Sequence, residues 1–179
     1  MPSDSDKKTI YEQCVNSCAD SLYRTAYRLT GNDTLACELI QETYFNAWKS
    51  LDSLTDPTRI RAWIFSILRF QFSKLLRAEK KSVGTSEHLD AIQDKPTADS
   101  ETTDWVQNAL NQLDEKHKMP LLLVSMEGMS VDEASQVLEI PRGTVLSRLH
   151  RGRDRLRKIL NREARAPKGD PIKSLSDTK

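Results

Sequence analysis

The chain has 179 residues, of which 37% are hydrophobic and 30% charged, and a formal net charge of +1 at pH 7. That length accommodates one domain or two small ones, and abundant helix formers, six glycines and few β-branched runs favour an all-α protein over a sheet protein. No amino-terminal segment resembles a signal peptide and no apolar run is long enough to span a membrane, so a cytoplasmic protein without membrane insertion is expected.

Three cysteines and three scattered histidines give neither a disulfide framework nor a metal site, so no cofactor or metal is expected. Cys14 and Cys18, one helical turn apart, read as small residues on a buried helix face. There is no phosphate-binding glycine loop, no nucleophile–base set and no cluster of carboxylates, which argues against an enzyme. The near-zero net charge averages unlike segments. Residues 1–81 carry twelve basic and ten acidic side chains, residues 82–104 one against six, and residues 105–179 fourteen against ten.

Residues 1–8 are polar and are expected to be disordered. From Thr9 to about Thr30 the positions Ile10, Cys14, Cys18, Leu22, Ala26 and Leu29 trace a helical stripe, which Gly31-Asn32 breaks. A second helix is expected from about Asp33 to Leu51, with Leu35, Leu39, Ile40, Ala47, Trp48 and Leu51 in the core. Asp52 to Thr58 is a loop. A third helix, about Arg59 to Lys81, combines an apolar face with Arg59, Arg61, Arg69, Lys74 and Arg77, and these three helices suffice for a small bundle.

Residues 82–103 are polar and acidic, and read as a flexible tether between two independently folded parts. Helices are expected from about Asp104 to Leu113 and Glu115 to Met126, the latter kinked or reset at Pro120 because proline lacks the amide donor. Gly128 can end that helix in a left-handed conformation. Ser130 and Glu133 form a capping box that opens a short helix with Ala134, Val137 and Leu138 buried. Leu138-Glu139-Ile140 makes a tight turn, and Pro141 stands at the first position of the next helix. In that helix Val145, Leu149, Leu156, Ile159 and Leu160 face inward, while Arg148, Arg151, Arg155, Lys158 and Arg162 form a cationic stripe suited to phosphates. From Arg142 to Lys168 ten Lys/Arg stand against two acids. Short helix, turn and arginine-rich helix together are the layout of a DNA-binding helix-turn-helix.

The segment Leu29-Thr30-Gly31-Asn32, then Leu39-Ile40-Gln41-Glu42-Thr43-Tyr44 with Ala47-Trp48, then Arg61-Ala62-Trp63-Ile64-Phe65, resembles region two of the extracytoplasmic-function sigma factors of bacterial RNA polymerase. Leu121-Leu122-Leu123, Glu127-Gly128-Met129-Ser130, Glu133-Ala134 and the run from Ile140 to Arg151 are similar to region four. The resemblance implies an all-α protein of two small helical domains. Region two would occupy residues 9–81, an acidic linker 82–103, region four 104–163 and a disordered tail 164–179.

It further implies a promoter-specificity subunit whose partners are core RNA polymerase, promoter DNA and an anti-sigma factor. Leu39, Gln41, Glu42 and Asn46 would contact the polymerase core, with Trp48 more naturally a core residue. The loop Asp52–Thr58 would capture an unstacked base of the −10 strand, and Arg59, Arg61, Arg69, Phe70, Lys74 and Arg77 would hold that strand through phosphate contacts and stacking. Arg142, Thr144, Ser147, Arg148 and Arg151, at the start of the recognition helix, would contact the −35 major groove. Leu146 departs from the lysine common at its position, Phe70 from an asparagine, Lys74 from an acid, and Cys37-Glu38 from a Glu-Asp pair. Two other readings are a sigma mimic that titrates an anti-sigma protein and a stand-alone helix-turn-helix regulator. The retained arginine stripe argues against the first, and the otherwise unexplained amino-terminal bundle against the second.

Overall fold

The computed structural model describes the backbone of residues 4–82 and 101–165 and the side chains of 7–79 and 105–162. Most of the expected acidic tether and of the expected tail lie outside the described residues, while residues 164 and 165, expected in the tail, continue the last helix. All described elements are helical. They are α1 (Asp4–Thr30), α2 (Asp33–Lys49), α3 (Ile60–Ser82), α4 (Glu101–Asn111), α5 (Glu115–Leu121), α6 (Val131–Leu138) and α7 (Arg142–Arg165), with short 3-10 turns at Leu51–Ser53 and Pro57–Arg59.

The first helix starts earlier than expected, at Asp4 rather than Thr9, and Lys7 anchors its beginning through an ion pair with Asp52 at 2.6 Å. Gly31 ends it with a φ of 68°, and its amide donates to the Tyr27 carbonyl at 2.7 Å. Asn32 then caps α2 by accepting from the Leu35 amide at 2.9 Å, satisfying a donor that has no partner inside the helix. The buried face of α2 is Ala36, Leu39, Thr43 and Ala47, mostly small residues that let α1 approach closely. Thr43 satisfies its hydroxyl on the Leu39 carbonyl at 2.7 Å. Trp48, expected in the core, is 50% exposed. Successive helical residues lie about 100° apart, so with Ala47 in the core its neighbour falls at the edge. There Trp48 meets Tyr11 edge-on, with ring centroids 5.1 Å apart.

In the carboxy-terminal module Pro120 sits within α5, and the helix widens immediately after it into a π-helical turn, Leu122–Met126, in which the Glu127 amide reaches back to the Leu122 carbonyl at 3.0 Å. Gly128 follows with a φ of 66°. Both arms of the Ser130–Glu133 capping box are formed, which holds the Glu133 carboxyl below its ordinary pKa. The turn after α6 places Glu139, a non-glycine residue, in the left-handed region with a φ of 53°. Pro141 precedes α7 instead of forming its first residue, and its carbonyl accepts from Thr144 and Val145 at 2.8 and 3.1 Å. Gly152 permits close packing of α5 on α7, because a Cβ there would stand 3.0 Å from the His117 carbonyl oxygen.

The two helical modules do not stand apart. Cys14, Cys18, Leu22, Ile64, Phe65 and Leu68 of the first module and Leu110, Leu122, Val137 and Val145 of the second belong to one contiguous apolar core. The face of α6 lies on α3, while α4 and α5 lie on α1.

Candidate nucleic-acid interface

Helix α7 is held in place by buried Val145 and Leu149, with Gly152 completing the contact to α5. This inward face turns Arg142, Ser147 and Arg151 to solvent, with Thr144 and Arg148 half-exposed. Arg142 is paired with Asp132 at 3.0 Å across the turn, both side chains well exposed. Ser147 donates to the Thr144 carbonyl at 3.0 Å. Among the described residues Arg148 and Arg151 have no ion-pair partner. The start of the helix thus presents cations to solvent on a rigid support.

The expected cationic stripe divides further along α7. Arg155 pairs with Asp114 at 2.7 Å and lies 3.3 Å from His117 Nδ1, and Arg162 donates to Gln112 at 2.8 Å. These two side chains tie α7 to the α4–α5 corner, a function that spacing along one helix does not reveal. The Arg155 bond holds the Asp114 carboxyl below its ordinary pKa, and burial together with Arg155 lowers that of His117.

The −10 candidates also fall into two groups. Arg59, Arg61 and Arg69 face the second module. Arg59 donates to Gln136 at 3.2 Å, Arg61 pairs with Glu127 at 3.0 Å, and Arg69 pairs with Glu139 at 3.0 Å. Phe70, Lys74 and Arg77 follow one another at four- and three-residue steps on a different strip of α3, and all three are exposed. Phe70 is 57% exposed beside a cavity of about 470 Å³ that it shares with Asn46, Lys49, Arg69 and Glu139. Phe65 is buried in the core, while Trp63 is half-buried and donates to Ser53 at 3.2 Å. Asp56 caps the turn before α3 through the Thr58 amide and hydroxyl, which lowers its carboxyl pKa. A second cavity, of about 190 Å³, opens between this loop and α6, lined by Leu54, Asp56, Arg59, Trp63, Gln136 and Val137.

On α2, Gln41 and Glu42 are exposed and Asn46 is half-buried, its side-chain amide on the Glu42 carbonyl at 2.7 Å. Leu39 takes the core place that its helical stripe predicts, although the resemblance also implies a polymerase contact for it. Only 4% exposed, it belongs to the core and floors a groove of about 220 Å³ bordered by Glu38, Glu42, Gln71, Lys74 and Leu75. Its place in the buried α2 stripe accounts for this. Lys74 thus sits beside two acids on the α2 side of α3, away from Arg61.

A model of Sigma-70 region 2 matches residues 14–82, and one of Sigma-70, region 4 matches residues 103–156. The chain is 31% identical over 150 residues to the ECF RNA polymerase sigma factor EcfG of Rhodopseudomonas palustris (strain TIE-1), with 82% of each protein covered. The chain belongs to the extracytoplasmic-function sigma factors. Similarity extends to SigE of Mycolicibacterium smegmatis, at 30% identity over 160 residues; 84% of this sigma factor is covered but 61% of SigE. Among solved structures, the sigma factor RpoE of Bartonella quintana, in complex with the anti-sigma factor NepR, superposes with a TM-score of 0.76. The identity is 27%, with 84% of this chain and 96% of RpoE covered. CnrH in complex with the cytosolic domain of CnrY gives a TM-score of 0.64 at 25% identity, covering 86% and 88%. The family resemblance of the motifs is therefore borne out, and this sigma factor is a transcription-initiation protein. No described helix is long and apolar enough to cross a membrane.

The contacts of Glu127, Gln136 and Glu139 with the first module were not legible in the sequence. Each lies in the carboxy-terminal module, and each acquires its partners only by contact with the first module. Lys118 was missed for the same reason. It is 7% exposed, donates to the Leu29 carbonyl at the end of α1 at 3.3 Å, and burial brings its pKa down to about 8.

Proposed function

We propose that this sigma factor selects promoters in the cytoplasm through three separate surfaces, leaving all chemistry to the polymerase. The outer face of α2, with Gln41, Glu42 and Asn46, docks on core RNA polymerase beside the groove floored by Leu39. The loop before α3 and the residues Arg59, Arg61, Arg69, Phe70, Lys74 and Arg77 hold the melted −10 strand, with phosphate contacts and an aromatic platform. Arg142, Thr144, Ser147, Arg148 and Arg151 meet the −35 duplex in the major groove. Residues 9–81 and 104–163 would be the two functional units, with 82–103 as the linker.

The observation that carries this reading is the start of α7. A correctly capped helix-turn-helix presents Arg148 and Arg151 without ion pairs, on a helix whose other face is locked by Val145 and Leu149. The same observation disfavours a mimic stripped of its DNA contacts. The complex of RpoE with NepR supports an anti-sigma factor as a further partner.

Runoff transcription with core polymerase over a promoter library, with and without the protein, tests the proposal. A transcript that depends on the protein and on both promoter elements is expected. Absence of both a specific transcript and core binding refutes it.

A further inference from the structure

We infer that Leu146 reads sequence in the −35 element, seating its side chain against the 5-methyl group of a thymine in the major groove. This rests on the assignment of α7 to the −35 duplex made above.

The other large apolar side chains among the described residues of α7 are buried or partly covered, Val145 and Leu149 most completely. Leu146 is 47% exposed. It is the fifth residue of α7, within the amino-terminal stretch through which a recognition helix reaches base edges. Successive residues turn by about 100°, so Leu146 leaves the buried side held by Val145 and points to solvent next to Ser147. Gly143, three residues before it, is exposed too, and a Cβ there would meet nothing within 4 Å. Gly143 and Ser147 are small and let the backbone come near a groove floor, with Leu146 as the bulk that projects from it. One turn away on either side, Arg142 is paired with Asp132 at 3.0 Å and His150 faces Asp154 at 3.2 Å. Both polar neighbours are thus already engaged along the Leu146 strip.

A single exposed leucine on a protein surface ordinarily needs no explanation. Here it stands on the helix face that also carries Arg148 and Arg151, whose charges draw the face onto phosphates whatever the sequence. Leucine adds neither charge nor hydrogen bond, so its contribution depends on which base edge it covers. Adenine and cytosine present amino donors in the major groove, guanine presents two acceptors, and thymine alone presents a methyl group. Against a donor or acceptor, Leu146 removes water from a polar edge and replaces no hydrogen bond, which costs affinity. Against the methyl group, apolar surface is buried on both partners, which adds affinity. Leu146 therefore favours thymine and rejects the other three bases, whereas a lysine at the same position would supply a cation that phosphate or guanine could take.

The test uses holoenzyme assembled from core polymerase and the full chain, on a promoter duplex selected from the library by runoff transcription. Each thymidine of the −35 element, on either strand, is replaced in turn by deoxyuridine, which removes the methyl group and keeps every hydrogen-bonding atom. Fluorescence anisotropy reads duplex affinity, a pull-down reads core affinity, and circular dichroism checks that the variants fold.

At one position the wild type is expected to lose about fourfold in affinity, the effect of one buried methyl group. Leu146→Ala should bind the unmodified duplex about fourfold more weakly and be indifferent to deoxyuridine at that position. Leu146→Lys should also ignore the methyl group, while its affinity falls more steeply with salt through an added phosphate contact. No loss at any thymidine, or the same loss in wild type and Leu146→Ala, overturns the inference. So does a Leu146→Ala defect confined to core affinity, which would assign the side chain to the polymerase. Arg148→Ala separates this from the wider reading. If it weakens the duplex while deoxyuridine has no effect anywhere, the −35 assignment stands without Leu146. If Arg148→Ala and both Leu146 variants all leave duplex affinity unchanged, the −35 assignment fails with it.

Discussion

Lys118→Met is expected to stabilise the protein near neutral pH and to lose that advantage as the pH rises. Lys118 is buried between α5 and the end of α1, and its pKa falls from 10.5 to about 8 because burial penalises the charged form. In the unfolded chain the ammonium keeps its ordinary pKa. Below pH 8 both states hold the proton, so the folded state bears the full desolvation cost. A tenfold loss of proton affinity corresponds to about 1.4 kcal/mol, which makes that cost roughly 3 kcal/mol. From pH 8 towards 10.5 the native lysine is neutral while the unfolded one still binds its proton, and wild-type stability rises across that window.

Methionine fills a similar volume but forfeits the charged bond to the Leu29 carbonyl, a loss of about 2 kcal/mol. The net gain at pH 7 is therefore roughly 1 kcal/mol, or about 2–4 °C in Tm for a chain of this size. Thermal unfolding of both proteins at pH 7 and pH 10, followed by circular dichroism, isolates the residue because every other titrating group is common to the two. A stability difference that does not change between the two pH values, or a variant less stable at pH 7, would show that the buried charge carries no such cost.

Arg148→Ala should weaken binding to −35 duplex by about 1–3 kcal/mol, roughly tenfold or more, with core affinity unchanged; a parallel loss of core affinity in a pull-down would mark the residue as structural. Replacing Gln41 and Glu42 together by alanine should have the reverse effect, and intact core affinity would remove the polymerase face from α2. Gly152→Ala, despite alanine's better helix propensity, should destabilise the protein by about 1 kcal/mol, since the new Cβ meets the His117 carbonyl oxygen at 3.0 Å. A raised Tm would show that α5 and α7 have room to separate.

The helices, most of their breaks and the family were legible in the order of residues, whereas the early start of α1 and the π-helical turn after Pro120 were not. Ser130 as a cap, Gly31-Asn32 as a break, Gly128 as a left-handed stop, and the stripes Cys14–Cys18–Leu22 and Val145–Leu149 all act within about one helical turn, so no distant partner is needed to specify them. The carboxy-terminal recognition helix was legible for the same reason.

What each helix face meets depended on packing between helices. Helical spacing suggested both Leu39 and Trp48 for the core, but a close α1–α2 contact selects Ala36, Thr43 and Ala47, which keeps Leu39 buried and leaves Trp48 at the edge. A row of arginines on α7 looks uniform along one helix, yet Arg155 and Arg162 are diverted to the α4–α5 corner. The pairing of Arg61 with Glu127 joins residues 66 positions apart. No local rule reaches so far, because the burial that makes a carboxylate need a partner exists only once the two modules have met.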